Sequence, residues 1–108
     1  MTYAEINNLI SNFGLPYACY QLPDDTEQAP PFICFFYGYD DIYADNSNYA
    51  GRVTLYVELY TDFKDFNRES IIETGLTQAG FSFGKESNYI DSEKMWQTTY
   101  NMEVFINA

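Results

Sequence analysis

Between Arg52 and Thr61 the chain alternates without a break: Val53, Leu55, Val57 and Leu59 are aliphatic, while Thr54, Tyr56, Glu58 and Tyr60 carry polar atoms. Successive side chains of a β-strand point to opposite faces, so this spacing predicts a strand with one face in a core. Such a strand cannot stand alone. It needs neighbours along its edges and a second layer over its apolar face.

The layer is legible on either side of it. Thr2 and Glu5 have the spacing of a capping box, and Ile6, Leu9, Ile10 and Phe13 follow as one helical stripe that Gly14 ends. A second helix is expected from an N-cap at Asp62 or Asp65 to about Ala79, with Ile72, Leu76 and Ala79 inward and Gly80 as its stop. Gly75 inside it costs about 1 kcal/mol against alanine unless close packing needs its missing side chain. Further strands are expected over Pro16 to Gln21, Phe32 to Tyr39, Phe81 to Ile90 and Met95 to Asn107. The last of these places Trp96, Tyr100, Met102, Val104 and Ile106 on one face, after a turn at Asp91 and Ser92. The expectation is one α+β domain over residues 1–108, in the order α-β-β-β-α-β-β. Its form is a two-layer sandwich, with a mainly antiparallel or mixed five-stranded sheet carrying two helices on one face.

Charge and chemistry narrow the function. Sixteen acidic side chains stand against five basic ones, with no histidine and a net charge of −11. Affinity for a phosphate backbone comes from Lys and Arg, so tight nucleic-acid binding is disfavoured. Without histidine the commonest general base and metal ligand are missing, and the serines and cysteines have no base to activate them. The acidic runs Asp24-Asp25-Thr26-Glu27 and Asp40-Asp41 with Asp45 lack the ligand ladder of a calcium loop. A non-enzymatic protein with no metal and no cofactor is expected.

Cys19 and Cys34 lie in apolar stretches without C-x-x-C spacing, which reads as two buried thiols, with a bridge between neighbouring strands left open. The N-terminus lacks a signal-peptide pattern and no apolar run reaches the roughly 18–20 residues that span a bilayer, so a soluble protein made inside the cell, with no membrane partner, is expected. Eleven tyrosines, nine phenylalanines and one tryptophan exceed what a small core requires. The surplus reads either as contact surface or as ordinary strand composition.

Several stretches resemble a known family: Asp45, Asn46 and Tyr49 in YADNSNY, VELYTDFKD from Val57 to Asp65, and ESNYIDSEKMWQTTYNMEV from Glu86 to Val104. Gly14-Leu15-Pro16 at the end of the first helix and Pro30-Pro31 before an aromatic strand belong to the same pattern. Together they resemble the small tail terminator and tail completion (head-tail joining) proteins of long-tailed phages and prophages of Gram-positive bacteria. That resemblance implies a hexameric ring at the head-proximal end of the tail tube, which stops tube polymerisation and joins the neck. Its partners would be further copies of itself, the tail tube protein and a head-tail connector or neck protein. Its place would be the virion, after assembly in the host cytoplasm. Phage DNA would pass through the ring without specific binding, repelled by an acidic lining for which Asp24, Asp25, Glu27, Asp40, Asp41 and Asp45 are the candidates.

A cyclic assembly brings one patch of each subunit against a different patch of the next. The segments Leu22 to Pro31 and Asp40 to Gly51 exceed ordinary connectors and are the expected contact arms, with Tyr43 and Tyr49 as anchors beside Ile42, Asn46, Pro30 and Pro31. Two other readings stay open. A connector stopper or adaptor of the phage neck fits the same pattern, and an acidic mimic of DNA that inhibits a host nuclease fits the charge. Mimicry requires carboxylates strung along one face, whereas here they gather in loops and turns.

Overall fold

The computed structural model describes residues 1–20, 29–38 and 51–107. Among these residues two helices and five strands follow in the order α1 (Tyr3–Ser11), β1 (Tyr17–Cys19), β2 (Phe32–Gly38), β3 (Gly51–Thr61), α2 (Phe66–Gln78), β4 (Gly84–Ile90) and β5 (Met95–Ile106). The fold is α+β with one mixed five-stranded sheet, in the spatial order β1-β2-β3-β5-β4. Only β1 and β2 run parallel; the other neighbours are antiparallel.

The alternating strand is the centre of this sheet. β3 pairs with β5 from Gly51↔Ile106 to Thr61↔Trp96 and with all of β2 on its other edge. Register then lines up Phe35, Val57 and Tyr100 across three strands, with Ile33 beside Leu59 and Leu55 beside Met102. A single buried cluster joins this face to Ile6 and Ile10 of α1 and to Ile72 and Leu76 of α2. Each fully buried aliphatic side chain here contributes roughly 1.5–3 kcal/mol relative to exposure.

Both helices begin, and α2 ends, as their residues dictate; α1 closes earlier than expected, at Ser11 with Asn12 as its C-cap, and Gly14 at φ 78° turns the chain two residues later. In α1 the Glu5 amide donates to Thr2 Oγ1 at 3.1 Å and the Thr2 amide to Glu5 Oε1 at 2.9 Å, completing the capping box. Asp65, not Asp62, caps α2 by accepting from the Arg68 amide at 3.1 Å. At its far end the Phe81 amide reaches the Leu76 carbonyl and the Gly80 amide the Thr77 carbonyl, both at 3.0 Å. This is a Schellman motif, and Gly80 supplies its left-handed residue at φ 90°.

That motif accounts for two departures from the sequence reading. Ala79 is the exposed C-cap of α2 instead of an inward residue. Phe81 and Phe83 pack against the core as the chain leaves the helix, so β4 starts only at Gly84. β1 is also shorter than expected, since Tyr20 leaves the extended region at φ 75°. Cys19 is exposed rather than buried, because β1 is a short edge strand; Cys34 is buried. Cys34 stands opposite Ala18, one residue away from Cys19, so the two thiols point to opposite faces and no disulfide joins them. No helix among the described residues is long and apolar enough to cross a membrane.

Gly75 has the packing reason that its position in a helix demands. A Cβ there would lie 2.5 Å from Cε1 of Phe13, so the ring of the residue that ends the α1 stripe occupies the space. Gly75→Ala should therefore gain nothing in the wild-type background, yet stabilise a Phe13→Ala background by about 1 kcal/mol through helix propensity. A double-mutant cycle of urea midpoints reads the coupling directly.

Candidate interaction surface

Titratable groups close enough to do chemistry gather beneath α2, and there they neutralise one another. Glu69 is buried on the inner side of the helix with its side chain 3% exposed. Lys64 Nζ donates to its Oε2 at 2.6 Å, and Lys85 Nζ of β4 lies 2.7 Å from its Oε1. Lys85 also donates to Glu73 Oε2 at 2.7 Å, and that oxygen accepts from the buried Tyr100 hydroxyl at the same distance. Ser87 Oγ takes a further bond from Lys64 and sits 3.3 Å from Thr98 Oγ1. Burial by itself pushes the Glu69 carboxyl up, but the hydrogen bonds and charges of the two lysines outweigh it and leave the group below its ordinary value. The Tyr100 hydroxyl is driven far up, first by burial and then by the Glu73 carboxylate. No group of three or more Cys, Asp or Glu side chains among the described residues is arranged to hold a metal.

The outward side of α2 is the reverse of its interior. Its charged residues, Arg68, Glu69 and Glu73, are all held in ion pairs, Arg68 with its own N-cap Asp65 at 3.1 Å. The residues it exposes are Phe66, Asn67, Ser70, Ile71, Thr74, Thr77 and Gln78, none of them charged, with Arg68 at its margin, its side chain 40% exposed. Beside this face runs an open groove of about 580 Å³ between α2 and the end of α1, where Leu9, Phe13 and Ile71 meet Asn12, Ser70 and Gln78. No residue lining it is charged.

At the first turn of α2 the surface continues into aromatic rings. Lys64 Nζ lies 5.3 Å from the Phe66 ring centre and 5.7 Å from that of Trp96, and Tyr89 meets Trp96 edge to face at 5.4 Å. Phe63, Phe66 and Tyr89 are all exposed.

The sheet face turned away from the helices is a second aromatic surface. Phe32 stacks on Tyr60 and Phe36 on Tyr56, each pair at 4.8 Å. Glu58 between them accepts from the Tyr60 hydroxyl and from the Gln97 amide, both at 3.0 Å, and the same amide donates to Tyr60 at 2.8 Å. Burial pushes the Tyr60 hydroxyl up to about 12; the Gln97 bond opposes this and Glu58 adds to it.

Of the expected contact residues, Pro30 and Pro31 precede β2 and are half-buried. Ile42, Tyr43, Asn46 and Tyr49 lie outside the described residues, as do Asp24, Asp25, Glu27, Asp40, Asp41 and Asp45. Sequence reasoning passed over the outer side of α2, although a helical wheel carries the signal: Asn67, Ser70, Ile71, Thr74 and Gln78 share a side, and the acids fall with Ile72 and Leu76 on the other.

No protein-family model matches the chain, and no curated protein matches it.

The lysine clamp sets a pH dependence. A carboxyl with a lowered folded-state pKa stabilises above its unfolded value of 4.5, and that contribution is lost as pH falls through the folded value. Glu69→Gln should cost on the order of 1–3 kcal/mol at pH 7, the cost of leaving buried partners unsatisfied. In urea unfolding the gap between the two proteins should narrow below about pH 4.5 and persist at all pH values from 5 to 8.

Proposed function

We propose that this protein is a non-enzymatic virion subunit of a long-tailed phage, acting as a tail terminator or tail completion protein. In this reading, copies of the chain form a ring at the head-proximal end of the tail tube, end its polymerisation and provide the joint to the neck. The ring's partners are the tube protein below and a connector protein above. Phage DNA passes through without being held.

One observation carries the reading beyond the resemblance. Among the described residues Phe35 and Tyr100 are the fully buried aromatic rings of the core, with Phe13, Tyr37, Phe81 and Phe83 packed partly buried against it, while Tyr3, Tyr17, Tyr20, Phe63, Phe66, Tyr89 and Phe105 are exposed. Rings of this kind anchor protein contacts because they bury large areas at little entropic cost. The ionisable side chains under α2 are meanwhile spent on one another, which supports a structural role for them. A net charge of −11 supports passage of a duplex, since phosphates find few cations to bind.

Deleting the gene from the phage or prophage that encodes it tests this at the level of the particle. Electron microscopy of the lysate should show tail tubes of excess and variable length, restored to uniform length by the gene in trans. Tubes of normal length beside unattached filled heads would move the protein to the connector, and normal infectious virions would end the structural reading altogether.

A further inference from the structure

In a chain this acidic, two copies that approach each other meet repulsion wherever carboxylates face carboxylates. The outward side of α2 is where they do not. Its acids are turned inward onto Lys64 and Lys85, and its exposed positions are amides, hydroxyls, Phe66 and Ile71. Depletion of charge at the centre of a patch, with aromatic residues beside it, is the compositional mark of an interface core. Resting on the ring reading above, we propose that this face is the surface through which one copy of the protein grips the next.

Charge selects that occupant. A basic protein would be drawn to the acidic parts of the surface, and a nucleic acid would need cations; the α2 face offers neither attraction. It is suited to a body as acidic as itself that also presents an uncharged patch. Size agrees with a copy held on two sides. α2 has 13 residues, about 20 Å of helix, and the groove beside Phe13 and the rings around Lys64 extend it to roughly 30 by 20 Å. That is on the order of 600 Å², somewhat below the ~800 Å² per partner of a standard stable complex. A lone pair would separate readily, whereas in a closed ring each copy is held by two neighbours.

Ile71 is the residue to change, because it is 54% exposed and its replacement leaves the core intact. Ile71→Glu adds to the net charge and Ile71→Lys lowers it, so only burial in a contact predicts that both fail. Sedimentation velocity of the full chain over a wide concentration range, with thermal melts to verify folding, should show wild-type self-association shifted about tenfold or more to higher concentration in both variants. Asn7→Glu, exposed on α1 and outside the groove lining, should stay within about twofold of wild type. The proposal is overturned if either Ile71 variant associates like wild type, or if the wild type is monomeric throughout. It is also overturned if the Ile71 variants self-associate normally but no longer restore tail length, which would give this face to another virion protein. Tail length in the deletion strain judges the ring reading separately, so the two can fail independently.

Discussion

The structure depends on the central strand being paired along its whole length on one edge and over seven residues of β2 on the other. A shift of one residue in either ladder would send Val53, Leu55, Val57 and Leu59 to the far face and bring Glu58 into the core. The hydrophobic face therefore fixes the register, and the register in turn places every other device described above. It sets Tyr100 opposite Lys85 and Thr98 opposite Ser87, which is why β4 can offer an ammonium group to a helix that packs over β5. On the far face it sets Glu58 near Gln97 and stacks Phe32 on Tyr60.

Much of this could be read from the chain, and the reason is local. Alternation in residues 52–61, the reciprocal Thr2 and Glu5 bonds, and Gly80 as a helix stop each depend on a few neighbouring residues. The number and order of elements follow from such signals. Strand partnership does not, because β1 beside β2 in parallel and β5 between β3 and β4 are choices made across long stretches of chain. The lysine clamp was illegible for the same reason: that Glu69 and Glu73 share a side with Ile72 and Leu76 is visible, but that Lys64 and Lys85 come to meet them is a tertiary fact. The expected contact arms lie in long polar segments that fall mostly outside the described residues. The surface that stands out among the described residues belongs to a regular helix, whose signal is the side on which charge is missing.

A helix with its charges beneath it and neutral groups above it inverts the usual amphipathic arrangement. The inversion is tolerable because both buried-side acids have cationic partners and additional hydroxyl donors or acceptors around them. Among the described residues it leaves two unlike surfaces, an uncharged helical one and an aromatic one on the opposite face of the sheet. Two unlike patches are what head-to-tail association of identical subunits needs, as distinct from the single self-complementary patch of a twofold dimer.

The clamp also has a consequence for how the domain comes apart. An edge strand has ladder bonds on one side only and ordinarily frays ahead of the rest. Here, peeling β4 from β5 would drag the Lys85 ammonium from two carboxylates and leave the Tyr100 hydroxyl and Glu73 without their cation. Lifting α2 would break the same contacts from above. Fraying of the margin and undocking of the helix thus break the same contacts, so the outermost strand and the helix are coupled.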